Sequence, residues 1–137
     1  MNMGRGARRA WAAAAVALGL GLCTVGCGSA GYSPSTVQAD EAAAGRLFTD
    51  MAAGRWNTVE AAFDAKMQSG LPAARLQAAW VRAAPGTGAA LTQGRPTAQS
   101  ARGDLVVDIP LQWPNKSIVG RVAFDPAGRV VGLLLLP

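Results

Sequence analysis

Residues 105–136, LVVDIPLQWPNKSIVGRVAFDPAGRVVGLLLL, decide the fold. Leu105, Val107, Ile109, Leu111 and Trp113 alternate with Val106, Asp108, Pro110 and Gln112. This period of two, bounded by turn residues, is the pattern of a half-buried antiparallel strand. Pro114-Asn115 predicts a two-residue turn leading back into Lys116. That turn places Leu111 opposite Ile118, Val107 opposite Val122 and Leu105 opposite Phe124, and it sets Asp108 across from Arg121 on the outer face. A slip of one residue would turn every apolar side chain to the wrong side. Hydrophobic pattern and charge pairing therefore agree on one register.

The next turn is Asp125-Pro126-Ala127-Gly128, with Pro and Gly where a bulged hairpin wants them. Pairing Asp125 with Arg129 and continuing the alternation predicts Val130, Gly132, Leu134 and Leu136 on the core face with Phe124, Val122 and Ile118. The same phase sends Val131, Leu133 and Leu135 outward beside Val119, Ala123, Val106 and Pro110. A sheet face open to water is ordinarily polar. The apolar strip at Val119, Val131, Leu133 and Leu135 is thus a candidate partner surface for a second copy or another envelope protein.

Upstream of residue 105 the period changes. Over 37–53, Ala44, Leu47, Phe48 and Met51 recur at spacings of three and four, a helical stripe that Gly54 ends. Asn57 followed by Glu60 reads as a variant capping box for a second helix with Val59, Phe63 and Met67 on its buried face, stopped by Gly70. Pro72 suits the first turn of a third helix that buries Leu76, Ala79, Trp80 and Ala83. One further strand is expected within 89–101, interrupted by Gly94 and Pro96. The fold class is α+β: three N-terminal helices packed on a curved antiparallel sheet of about four strands.

The succession Ala44-Gly45-Arg46-Leu47-Phe48, Trp56, Phe63-Asp64, Leu71-Pro72, Leu76, Trp80, Val107-Asp108-Ile109-Pro110-Leu111 and Phe124-Asp125-Pro126-Ala127-Gly128-Arg129-Val130-Val131-Gly132-Leu133 resembles a family of bacterial domains of unknown function. That family belongs to the nuclear transport factor two-like, cystatin-like superfamily, and occurs in secreted lipoproteins and ahead of α/β-hydrolase domains. The resemblance spans about 40–136 and implies a cystatin-like cone. Its motifs are core and turn residues, so it carries over no catalytic residue. A chain stopping at Pro137 is not expected to serve an attached hydrolase.

Chemistry-bearing patterns are few. The chain has no His, which removes Ser-His-Asp and Cys-His sites and the commonest metal ligand. No Gly-x-Ser-x-Gly elbow exists, and Gly86-Thr87-Gly88 lacks the rest of a dinucleotide fingerprint. Neither metal nor cofactor is expected. Glu60 and Asp64, one helical turn apart, are the pair available for proton transfer in the cone, although solvated charges near a helix start look the same. Phe48, Phe63, Trp80, Trp113 and Phe124 form either a pocket lining, with Gly120 and Gly132 leaving room, or simply the core. Arg102-Gly103-Asp104 copies an adhesion tripeptide but is ordinary turn chemistry. Asn115-Lys116-Ser117 is a formal sequon in a tight hairpin.

The N-terminal segment addresses the protein. Arg5, Arg8 and Arg9 precede an uncharged apolar run over 10–22, and small residues surround Cys27 in Thr24-Val25-Gly26-Cys27-Gly28-Ser29. That order looks like a bacterial lipoprotein signal, in which cleavage before Cys27 is expected to follow lipid attachment to its thiol. Thr24 stands where such signals usually carry Leu. Cys23 is excluded by the bulky Leu22 before it. The alternative is cleavage after Ala30 and secretion as a soluble protein. Three of the 13 basic residues leave with the leader, so ten face 8 acidic ones and the net charge falls from +5 to +2. Without a basic run, nucleic acid is not an expected partner. With Cys23 removed and Cys27 lipidated, no disulfide is possible.

The expected organisation is a signal over 1–26, a flexible tether over 27–36 and one domain over 37–137. The tether, at most about 33 Å long when extended, holds the domain close to the outer side of the cytoplasmic membrane. The expected role is a non-catalytic, lipid-anchored binding or interaction module. The alternative is a weak enzyme of isomerase or hydratase type.

Overall fold

The computed structural model describes residues 31–85 and 90–137. The leader, Cys27 and Gly86-Thr87-Gly88 lie outside the described residues. Four helices come first: α1 (Pro34–Ala52), α2 (Trp56–Ala61), α3 (Ala65–Gly70) and α4 (Ala73–Ala83). Five strands follow: β1 (Thr92–Gln93), β2 (Thr97–Ala101), β3 (Asp104–Trp113), β4 (Lys116–Phe124) and β5 (Val130–Leu136). The class is α+β, with an antiparallel sheet in which β3 pairs with β4 and β4 with β5, while β1 and β2 share the other edge of β3. The single strand expected within 89–101 is thus split around Gly94-Arg95-Pro96. A Cβ at Gly94 would come within 2.9 Å of the Pro110 ring, so glycine lets the chain cross that point.

The β3–β4 register follows the sequence reading at every quoted pair. Leu105 faces Phe124, Val107 faces Val122, Leu111 faces Ile118 and Asp108 faces Arg121. Buried positions alternate along both strands, and the inward side chains meet Leu47, Phe48 and Met51 of α1, Val59 of α2, and Leu76 and Trp80 of α4 in one core. Trp80 meets Trp113 edge to face, with ring centroids 5.8 Å apart.

The β4–β5 register departs from expectation. Phe124 pairs with Val130 as predicted, but Ala123 pairs with Gly132, so Val131 is the extra residue of a β-bulge. Beyond the bulge every side chain has changed face. Leu133 lies across from Val122 and Leu135 across from Gly120, both packed against the core. Leu134, expected inside, lies across from Arg121 and is 54% exposed.

The helices also differ from the three expected. The second breaks at Phe63, which forms a parallel bridge to Val130. Asp64 N–H donates to the Val130 carbonyl (2.9 Å) and Val130 N–H to the Ala62 carbonyl (3.0 Å). These bonds occupy the start of the free β5 edge and pull the backbone out of helical geometry. Asp64 then begins α3 as its N-cap, its Oδ1 accepting from Met67 N–H at 2.7 Å. Asn57 caps nothing; α2 begins at Trp56, after Arg55. At the N-terminus, Ser33 caps α1 by accepting from Thr36 N–H, so ordered structure starts inside the expected tether. Tyr32 is fixed too: its hydroxyl donates to the Gly103 carbonyl at 2.8 Å.

Candidate functional site

The two carboxylates singled out for proton transfer are engaged in structure. Glu60 Oε2 accepts from Ala73 N–H at 2.9 Å, so it caps α4 from a neighbouring helix. Asp64 caps α3. Each thereby satisfies a backbone donor that a helix start leaves open.

The five aromatics Phe48, Phe63, Trp80, Trp113 and Phe124 are all buried within the hydrophobic core. Gly120 does leave room on the sheet, and α1 fills it. A Cβ on Gly120 would collide with Phe48 Cζ and lie 2.7 Å from both Cε atoms, which places the ring directly on the glycine. Gly132 lies on the other face, across from Ala123. An open depression of about 420 Å³ lies elsewhere, where Arg55, Trp56 and Asn57 meet Ala73, Ala74 and Gln77 at the starts of α2 and α4. Arg55, its one charged lining group, pairs with Asp50 at 2.6 Å. Among the described residues no cluster of His, Cys, Asp or Glu is arranged for a metal ion.

The outer face of the sheet carries the remaining candidate. Reading across β3, β4 and β5, it consists of three rows: Val106, Ala123 and Gly132; Asp108, Arg121 and Leu134; Pro110, Val119 and Leu136. Arg121 grips Asp108 with two parallel bonds, Nε to Oδ1 at 2.7 Å and Nη2 to Oδ2 at 2.8 Å. These bonds, and the negative charge behind them, raise the Arg121 pKa above its ordinary value. Of the four residues expected to form the strip, Val119 is on this face and Val131 sits in the bulge. Leu133 and Leu135 belong to the inner face, and Leu134 takes their place.

Asp40 is a buried carboxylate outside the residues the sequence patterns single out. It lies four residues before Ala44 on the apolar stripe of α1 and is only 7% exposed, and its Oδ2 has no hydrogen-bond partner. Burial, then the charge of Asp125, pushes its pKa up. The available signal was a carboxylate on an otherwise apolar helix face. Tyr32 stands at the same end of the sheet, and burial, followed by the charges of Asp104, Asp40 and Asp125, raises its pKa as well. Asp40 Oδ2 is sealed from solvent.

Among the described residues no helix is long and apolar enough to cross a membrane. Comparison of the chain with protein-family models, curated proteins and solved structures gives no match.

Proposed function

We propose that this chain is a lipid-anchored protein of the bacterial cell envelope, carried outside the cytoplasmic membrane on Cys27, with a cystatin-like domain that acts as a non-catalytic interaction module. The observation that carries the interaction reading is Leu134, a large apolar side chain 54% exposed on a sheet face it shares with Val106, Pro110, Val119 and Leu136. Water gains nothing from such a row, whereas a second copy of the domain or another envelope protein buries it. A catalytic reading loses support because Glu60 and Asp64 cap helices and Phe48 covers Gly120.

The test has two parts. Cys27→Ser should abolish lipid labelling and release the protein from membranes; absence of lipid mass at wild-type Cys27 overturns the anchor. Leu134→Glu should abolish a homodimer or a cross-linked envelope partner while leaving the fold intact. A wild-type protein that is monomeric and yields no cross-link that Leu134→Glu removes overturns the interaction reading.

A further inference from the structure

The point where the chain leaves the domain toward Cys27 is fixed. Tyr32 hydroxyl donates to the Gly103 carbonyl at 2.8 Å and stands 3.5 Å from the Phe124 carbonyl. It is therefore clamped at the end of the sheet that carries the β2–β3 turn (Arg102-Gly103) and the β4–β5 turn (Asp125–Arg129). Cys27 is five residues before Tyr32, so at most about 18 Å of extended chain separates the two. The opposite end, where Trp113 turns into Lys116, is the length of β3 away. Ten residues at about 3.3 Å each make about 33 Å, beyond the reach of that segment. The anchor therefore keeps this end of the sheet near the bilayer, whichever way the domain tilts.

At that end the arginines are more exposed than the acids. Arg102 and Arg129 are exposed, and neither makes an ion pair among the described residues. Of the acids, Asp40 is buried. Asp125 Oδ1 accepts from Ala127 N–H at 3.0 Å and Arg129 N–H at 2.9 Å inside its own turn. Asp104 is half-buried. Arg102 also holds a backbone conformation that arginine rarely adopts, φ 55°, followed by Gly103 at φ 90°. Two successive positive φ values define a turn in which Asn or Gly would be the unstrained first residue. Arginine there is strained relative to Asn or Gly, and it sets a cation at the tip of the hairpin, beside the clamp that leads to the anchor.

We infer that the β2–β3 and β4–β5 turns form a membrane-facing end, in which Arg102 and Arg129 meet anionic lipid headgroups and hold the lipid-anchored domain upright, with the outer sheet face directed sideways. The inference rests on lipidation of Cys27. Each arginine near an anionic surface strengthens its association about fivefold, and a covalent lipid supplies the second, stable attachment.

Fluorescent labels at Ala127→Cys and Asn115→Cys, made separately in the full lipidated protein, test this. Quenching by brominated lipid is measured in vesicles of phosphatidylcholine alone and of equimolar phosphatidylcholine and phosphatidylglycerol. Mass spectrometry of Cys27 is read on the same samples. The expected result is strong quenching at residue 127 and little at residue 115, with the difference growing in the phosphatidylglycerol vesicles. Arg102→Gln combined with Arg129→Gln, or high salt, should remove that growth. Lipid on Cys27 with equal quenching at the two sites, or greater quenching at 115, overturns the orientation and leaves the anchor standing. A preference for 127 that ignores both phosphatidylglycerol and the arginine replacements overturns the headgroup contact. No lipid on Cys27 overturns the anchor and this inference with it.

Discussion

Gly120→Ala should destabilise the protein although it adds a single methyl group to a β-strand. The added Cβ would collide with Phe48 Cζ and lie 2.7 Å from the two Cε atoms. Phe48 has no solvent to move into: it is 0% exposed and comes from the C-terminal half of α1. Either the ring leaves its rotamer or α1 shifts off the sheet, and such overpacking costs about 1–3 kcal/mol. For a domain of this size, about 2 kcal/mol lowers Tm by roughly 10 °C. Urea unfolding followed by the fluorescence of Trp80 and Trp113, both core residues, measures the loss directly. Phe48→Leu removes the three ring atoms that collide, so the double variant should lose about 1–2 kcal/mol less than the sum of the two single losses. If Gly120→Ala is neutral and the two changes are additive, the ring does not sit on the glycine. The space among Phe48, Phe63, Trp80, Trp113 and Phe124 is then open to a ligand.

The bulge makes adjacent leucines behave differently. Leu133→Glu places a charge against the core and should cost about 2 kcal/mol or more, whereas Leu134→Glu should stay within about 0.5 kcal/mol of wild type; equal urea midpoints for the two would remove the bulge. Asp40 ionises near 3.8 in the unfolded chain and higher in the folded one, raised by burial and then by Asp125. The folded state therefore holds this proton more tightly, and its contribution is complete below the ordinary value and lost as pH climbs through the raised one. Thermal melts across that range should show Asp40→Asn gaining on wild type as pH rises, and a constant difference would contradict the burial of the carboxylate. Asp64→Ala removes the bond from Met67 N–H at 2.7 Å and should cost about 1 kcal/mol in the same urea assay; no loss would mean that α3 does not depend on this cap.

What the sequence made legible follows from which signals are redundant. In 105–124 the turn, the alternation and the opposed charges Asp108 and Arg121 each specify the same pairing, and the structure has that pairing. In 130–136, Val-Val-Gly-Leu-Leu-Leu-Leu, every residue but Gly132 is apolar, so either phase buries large side chains and alternation has no preference to express. The choice falls to a bulge at Val131 next to Val130, whose N–H and C=O are both bonded to the Ala62–Asp64 backbone. That contact spans more than sixty residues, which no local pattern records. The same contact breaks the helix expected through Phe63. Helical stripes alone foresee that Val59 and Phe63 are buried, as they are, but not that strand pairing will interrupt the backbone between them and Met67. Glu60 illustrates the same limit, because three residues after Asn57 it reads as a local cap and yet its carboxylate serves Ala73.

The phase change at Val131 also alters what a partner must match. With Leu133 and Leu135 outside, the strip would have been a continuous apolar surface of the kind buried in obligate dimers. With Leu134 outside, the exposed leucine borders Arg121, and the Asp108–Arg121 pair runs between the row of Val106, Ala123 and Gly132 and the row of Pro110, Val119 and Leu136. Arg121 spends both bonds on Asp108, so a partner must either leave that pair at a wet rim or bring its own acceptor to the guanidinium. Burying the pair without new hydrogen bonds would cost more than the flanking leucine returns. For the interaction proposed above, a mixed apolar and polar contact that releases is therefore the expected form, rather than a permanent subunit.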